Sequence, residues 1–429
     1  MKKIFILASA MFAFTLAFAK TSVSLDYDTY YTSARMRIDV VLAGDAKNQG
    51  AFLDGLSKES IWGGSKVNLV EPFGYGEYKY EVFASDGKLI FSKGFNSLFQ
   101  EWRTTAEARE MKKAFSMSLW IPYPKAKVNV VISEREKHTG KYSEISKFAI
   151  DPADKAINRG VENDYKAVKF VDGGDPSVKV DLVFVAEGYA ASDMEKFRKD
   201  VAKFTGYLFN MEPYKSRKGD FNIWAVEAVS PESGTDFPHL DVWKRTALNS
   251  NFYSLRIDRY LTAPDQKLIA KAVSGVPCDA IYVIVNTEKY GGGGIYNFYG
   301  LSMSDHKLEA EVFVHELGHS FAGLGDEYYE SAVTYEEFYS LKCEPWEPNL
   351  STLVNFSSKW KKMIEKGTPI PTPNDKAYAE KVGAFEGGGY MSKGLYRPYL
   401  DCRMKTNTAK GFCPVCVKAI NDMIDIYTK

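Results

Sequence analysis

Between residues 36 and 42 the chain alternates: Met36, Ile38, Val40 and Leu42 are apolar, while Arg37 and Asp39 are charged. A period of two predicts a half-buried β-strand. Tyr78, Tyr80 and Val82 repeat the pattern. Ser85-Asp86-Gly87-Lys88 then reads as a hairpin turn into Leu89-Ile90-Phe91, because Gly takes positive φ without a steric penalty. Val128, Val130 and Ile132 predict another strand. Within this β-rich half, residues 104–115 are rich in Ala, Glu, Lys and Met and are expected to form one helix. Few carboxylates or histidines fall in catalytic spacing here. The expectation is an all-β sandwich, an accessory domain over residues 20–160.

Residues 151–177 are polar and contain Gly173-Gly174-Asp175-Pro176, the composition of a linker or surface excursion. Beyond them the texture changes. Residues 178–185 predict a largely apolar strand and 192–209 a helix. Residues 221–229 predict a second strand, 253–261 and 266–274 two helices, and 280–285 a third buried strand. Strands alternating with helices imply an α/β domain with a mixed sheet, assigned to residues 161–429. No internal repeat or low-complexity tract interrupts it.

The first residues follow another logic. Lys2 and Lys3 precede the apolar run Ile4 to Leu16, and Ala17-Phe18-Ala19 offers small residues to a signal peptidase. This predicts a Sec signal peptide over residues 1–19, cleaved after Ala19. The run is too short to span a bilayer. The expected protein is secreted or periplasmic, without a membrane anchor. Its 429 residues suggest two domains. Lys+Arg and Asp+Glu stand at 55 each, so no net field draws it toward nucleic acid or an anionic membrane.

The candidate chemistry lies in residues 308–328. Asp305 is positioned to cap a helix on which Val314, Leu317 and Phe321 share an apolar face. His315 and His319 are four apart, hence neighbours on one side of that helix. Two imidazoles so placed can bind one zinc ion, with Glu316 beside them to take a proton from a water held there. Alone, such a pentapeptide is often only a solvated helix face. Here it coincides with an apolar face, a glycine break at Gly323 and Gly325, and the acidic pair Asp326-Glu327. Two of only five histidines in the chain fall in it. The other three, His138, His239 and His306, have no comparable spacing. A catalytic zinc needs a third protein ligand and an open position. Gly323 and Gly325 are expected to take positive φ and turn the chain back. Asp326 is the expected third ligand. Glu327 and a Glu on a later helix are the alternatives.

Five cysteines remain to be placed: Cys278, Cys343, Cys402, Cys413 and Cys416. In an exported protein the C-terminal group is expected to form one or two disulfides, with at least one thiol left over. Cys413-Pro414-Val415-Cys416 has the spacing of a metal or redox pair, but the absence of a second such pair weighs against a structural zinc knuckle.

The run His315-Glu316-Leu317-Gly318-His319-Ser320-Phe321-Ala322-Gly323-Leu324-Gly325-Asp326-Glu327-Tyr328 resembles the signature of the IgA-peptidase-type family of bacterial zinc metallopeptidases, itself similar to the metzincins. The resemblance extends to Asp181–Tyr189, Gly291–Tyr296, Cys402-Arg403-Met404, Phe412–Cys416 and the β-rich first half. It implies a zincin- or metzincin-like catalytic domain holding one catalytic Zn2+. His315, His319 and Asp326 would be ligands, Glu316 the general base, and Met404 the methionine of the turn beneath the metal. Gly323 and Asp326 each fall one residue later than the metzincin spacing, so Asp326 and Glu327 both stay open.

Two further features bear on substrate. Residues 295–303 are expected either as an edge strand along which a peptide could add, preceded by glycines that allow close approach, or as a surface loop. Gly387-Gly388-Gly389-Tyr390 and Tyr396 precede the Met404 region, where a tyrosine could donate to an oxyanion; Tyr396 is the candidate catalytic donor, with simple packing as its alternative. The expected function is a secreted zinc-dependent endopeptidase acting on proteins or glycoproteins. Its rivals are a catalytically inactive zinc-containing glycan- or protein-binding module, against which the intact Glu316 argues, and a structural zinc closed by a fourth ligand. Neither the preferred substrate nor the oligomeric state is legible.

Overall fold

The computed structural model describes residues 25–160, 165–329 and 338–429; the signal peptide expected at residues 1–19 lies outside them. The β-rich first part comprises β1 (Tyr31–Gly44), β2 (Gln49–Glu59), β3 (Tyr78–Ala84), β4 (Leu89–Phe95), β5 (Lys113–Pro124), β6 (Val128–Arg135) and β7 (Tyr142–Ile150). They form two antiparallel sheets, ordered β2-β1-β5 and β4-β3-β6-β7. Met36, Ile38, Val40 and Leu42 are fully buried, as their alternation predicts. The Tyr80 hydroxyl of β3 donates to the Trp120 carbonyl of β5 across the two sheets (2.9 Å).

The polar face of β1 is buried as well. Arg35 donates through Nε to Glu59 (2.6 Å) and through its terminal nitrogens to the carbonyls of Val273 (3.0 Å) and Val276 (3.4 Å). That guanidinium ties the β-rich part to the chain just past the helix Gln266–Ala272. Within residues 104–115 only Glu107–Glu110 is helical, and β5 already starts at Lys113. The reason is long-range: Phe115, Met117, Leu119 and Ile121 face Leu42, Val40, Ile38 and Met36 on β1. That apolar ladder overrides local helix propensity.

The second part is built on six strands: β8 (Lys166–Val171), β9 (Val180–Glu187), β10 (Phe221–Glu227), β11 (Ala280–Val285), β12 (Gly292–Ile295) and β13 (Tyr299–Met303), ordered β12-β13-β11-β9-β10-β8. The four central strands are parallel and both edge strands antiparallel, a mixed sheet as expected. Every residue of β9 is buried, which is why it reads as an apolar run and not as alternation. The expected linker contains β8, an edge strand against β10. The expected helix over 253–261 is only the short turn Ser254–Arg256, because Tyr253, Leu255 and Arg256 all take positive φ, which a right-handed helix cannot continue.

Three longer helices complete this part: α1 (Met194–Asn210), α2 (Glu309–Ala322) and α3 (Pro414–Thr428). Phe313 anchors α2. Its ring lies 4.7 Å from Tyr282 and 5.8 Å from Phe184 on the sheet, and 5.1 Å from Phe204 on α1. Asp305 does not cap α2; its carboxylate pairs with Lys196 (2.8 Å). A hairpin of β14 (Phe385–Gly388) and β15 (Met391–Arg397) stands apart from the large sheet.

Candidate metal centre

The last turns of α2 carry His315 and His319, whose Nε2 atoms lie 3.0 Å apart. Each ring is held from behind. His315 Nδ1 donates to the Arg403 carbonyl (3.0 Å) and His319 Nδ1 to the Leu324 carbonyl (2.5 Å). A carbonyl can only accept, so the protons sit on Nδ1 and both Nε2 lone pairs face forward. Gly323 ends the helix at φ 65°, and the N–H groups of Gly323 and Leu324 return to the carbonyls of His319 and Gly318. Gly325 is not in a left-handed conformation. Its peptide is gripped by Asn349, which donates to the Gly325 carbonyl (2.8 Å) and accepts from its N–H (2.7 Å), and a side chain there would strike Leu350.

This turn delivers Asp326 to the histidines. Asp326 Oδ1 lies 3.1 Å from His315 Nε2 and 3.3 Å from His319 Nε2. The same atom is buried and accepts no hydrogen bond. Its partner Oδ2 accepts from the Tyr390 hydroxyl. The negative Asp326 carboxylate and the two imidazoles act on one another electrostatically. Burial opposes protonation of His319, yet the Asp326 carboxylate outweighs it and lifts the imidazole pKa to about 9. Burial likewise works to raise the Asp326 pKa, but His319 and His315 hold it well below the usual carboxylate range. Two imidazole lone pairs and a buried orphan carboxylate oxygen, all within reach of one point, are the donor set of a divalent transition metal with space left for solvent. The residues fit the metal that the motif implies.

Glu327 points the other way. Its Oε1 accepts from Asn349 Nδ2 (3.0 Å) and from the Cys416 thiol (3.2 Å). The expected disulfides are absent: all five cysteines carry free thiols.

Glu316 sits with the imidazoles on the open side, its carboxylate against Gly292 of β12. Burial raises its pKa, against the pull of His315 and His319. Met404 is fully buried beneath α2, where a side chain at Gly318 would meet its sulfur at 2.9 Å. The centre opens into a cleft of about 380 Å³ whose walls include Arg259, Tyr290, Tyr328, Tyr390 and, from the β-rich part, Asn96 and Glu101. Glu101 accepts from the Tyr260 hydroxyl (2.6 Å), joining that part to the rim. His138, His239 and His306 do not line the cleft.

Tyr396 does not reach it either. It lies within β15, opposite Glu386, with its backbone bonded on both sides to Ser351. Tyr390 occupies the place instead: it sits in the turn between β14 and β15 at φ 65°. The sequence marks the segment by its run of glycines, Gly387 to Gly389, but not which tyrosine it presents to the cleft. The edge strand is also displaced from expectation. Residues 299–303 form the inner strand β13, and β12 is the edge, bridged on its outer side at Gly292 by Tyr260. The free rim available to an added strand is correspondingly shorter.

The fit of β12 against α2 gives a direct stability test. A Cβ at Gly294 would lie 2.5 Å from the Glu316 carbonyl and 2.8 Å from His319 Cβ. Gly294→Ala is expected to cost about 1–3 kcal/mol, whereas Gly206→Ala on the exposed face of α1, with nothing nearby, should add about 1 kcal/mol. Thermal unfolding of the two variants should move in opposite directions.

Residues 168–378 and 374–424 match the family model described as IgA Peptidase M64, and residues 26–145 match Peptidase M64 N-terminus. No curated protein matches the chain.

Proposed function

The chain belongs to the IgA peptidase M64 family, and from that premise we propose that it is an exported, zinc-dependent endopeptidase with a metzincin-like centre. The observation that carries this reading is Asp326 Oδ1, buried, without a hydrogen bond, and set within 3.3 Å of two imidazole nitrogens whose other faces are anchored. His315, His319 and Asp326 are the proposed ligands. Zinc held there supplies Lewis acidity, polarising a peptide carbonyl and making nearby water more acidic.

The chain's own groups do the rest. Glu316 accepts the proton of the attacking water and passes it to the leaving amine nitrogen. Arg403 and Leu324 carbonyls keep the imidazoles oriented, which is what second partners do for metal ligands. The Tyr390 hydroxyl holds Oδ2 of Asp326 and so fixes which oxygen faces the histidines. Met404 is the proposed methionine floor under the centre. Residues 20–160 are proposed as a β-sandwich domain that forms one rim of the cleft through Asn96 and Glu101, and residues 161–429 as the catalytic domain. Residues 1–19 are proposed as the export signal. The substrates are proteins or glycoproteins.

Removal of metal tests the reading. Treatment with phenanthroline should abolish hydrolysis of a protein and glycoprotein panel, and stoichiometric zinc should restore it. Hydrolysis that survives complete metal removal would overturn a metal-dependent reaction. No hydrolysis of any substrate by the zinc-loaded chain would favour a binding module.

A further inference from the structure

Behind the first centre lies a second set of potential ligands. We propose that Glu327, Cys402, Cys413 and Cys416 form a closed zinc site of structural role, independent of the His315–His319–Asp326 centre. Their donor atoms all lie within 4.8 Å of one another. All four residues are buried, none more than 3% exposed. Cys402 Sγ and Cys416 Sγ are 3.8 Å apart, and Cys416 Sγ is 3.2 Å from Glu327 Oε1. The Cys413 N–H donates to Cys402 Sγ (3.2 Å).

The spacing is informative. Zinc–sulfur bonds of about 2.3 Å in a tetrahedron give sulfur–sulfur edges of about 3.8 Å. That is the Cys402–Cys416 separation. The polar inventory points the same way. Glu327 Oε2 is buried and accepts no hydrogen bond, a costly arrangement for a polar oxygen. Three sulfurs and one carboxylate complete a closed four-coordinate shell, and the soft thiolates select zinc over calcium or magnesium. Binding releases the three thiol protons. The resulting negative charge meets the N-terminal end of α3, where Cys413 is the N-cap and Cys416 lies in the first turn. Arg397, itself buried, contributes positive charge near Glu327.

The position of this site suggests its purpose. Its ligands come from three segments, two of which adjoin the first centre from behind. Glu327 follows Asp326 directly, and its N–H donates to the Met404 carbonyl (2.8 Å). Cys402 precedes Arg403, whose carbonyl orients His315. Cys413 and Cys416 open α3. A metal there would staple the Asp326 turn and the Met404 segment to the C-terminal helix.

The test uses the full chain with the first centre removed, as His315→Ala/His319→Ala, so no cysteine need be altered. Purified without added chelator, this variant should retain one zinc per chain. Its cobalt-substituted form should show intense sulfur-to-cobalt charge-transfer absorption. After denaturation with chelator and no reductant, Cys402, Cys413 and Cys416 should all alkylate. A variant free of metal, a cobalt spectrum without sulfur bands, or a pair of these cysteines that alkylates only after reduction would overturn the proposal, the last in favour of a disulfide. Failure of the peptidase reading is distinguishable: it would leave the sulfur-bound metal in place in both wild type and variant, with no hydrolysis by either.

Discussion

Glu316→Gln is expected to lower kcat/KM by about 10²–10⁴-fold, the typical contribution of a positioned general base, while zinc content stays at the wild-type level. Gln has nearly the same shape, so contact with Gly292 and the packing of α2 persist. What is lost is the acceptor for the proton of the attacking water. The proposed metal ligands are other residues, and their anchors at Arg403 and Leu324 are untouched. The effect should therefore appear in kcat and not in metal affinity. Kinetics on one cleaved glycoprotein, combined with metal analysis of the same sample, would show the split. A variant that hydrolyses at the wild-type rate would remove Glu316 from the mechanism. A variant that loses zinc would make it a ligand.

What the sequence discloses about this site is what is local in the chain. His315, Glu316 and His319 lie on one helix, so their spacing alone brings them together. The turn to Asp326 is legible because Gly323 needs the left-handed conformation at the end of α2. The choice between Tyr390 and Tyr396 was not legible: Tyr390 is 64 residues from Asp326 in sequence, and its positive φ is one that non-glycine residues seldom adopt. The Glu327–cysteine cluster was hidden for a related reason. Counting CxxC pairs finds only Cys413 and Cys416, while Cys402 and Glu327 come from segments that only the fold assembles. The misassigned helix at 104–115 shows the same limit in secondary structure. Its composition favours helix, but the apolar alternation from Phe115 onward finds its partners on β1, more than seventy residues earlier in the chain. Mixed α/β content and a β-rich first part were legible because period-two and continuous apolar runs are local signals.

Phe313→Ala should destabilise the protein by about 3–5 kcal/mol, the range for deleting a fully buried aromatic side chain. Phe313 is completely buried, and its ring touches two strands of the large sheet and α1. It is thus a principal anchor of α2 on the scaffold, two positions before His315. The expected result is a lower thermal midpoint together with weaker zinc binding at temperatures where the variant is still folded. Both imidazoles ride on α2, whereas Asp326 is tied separately to Tyr390 and, through its neighbours, to Asn349 and Met404. Loosening one side of a three-ligand centre against the other degrades its geometry before the fold is lost. Glu316→Gln should do the opposite, removing chemistry at an unchanged midpoint. Calorimetry and zinc titration of the two variants would separate scaffold from reaction. If Phe313→Ala melted like the wild type, α2 would have to be held by its C-terminal end, through the Gly323 turn and the Met404 floor, and not by its grip on the sheet.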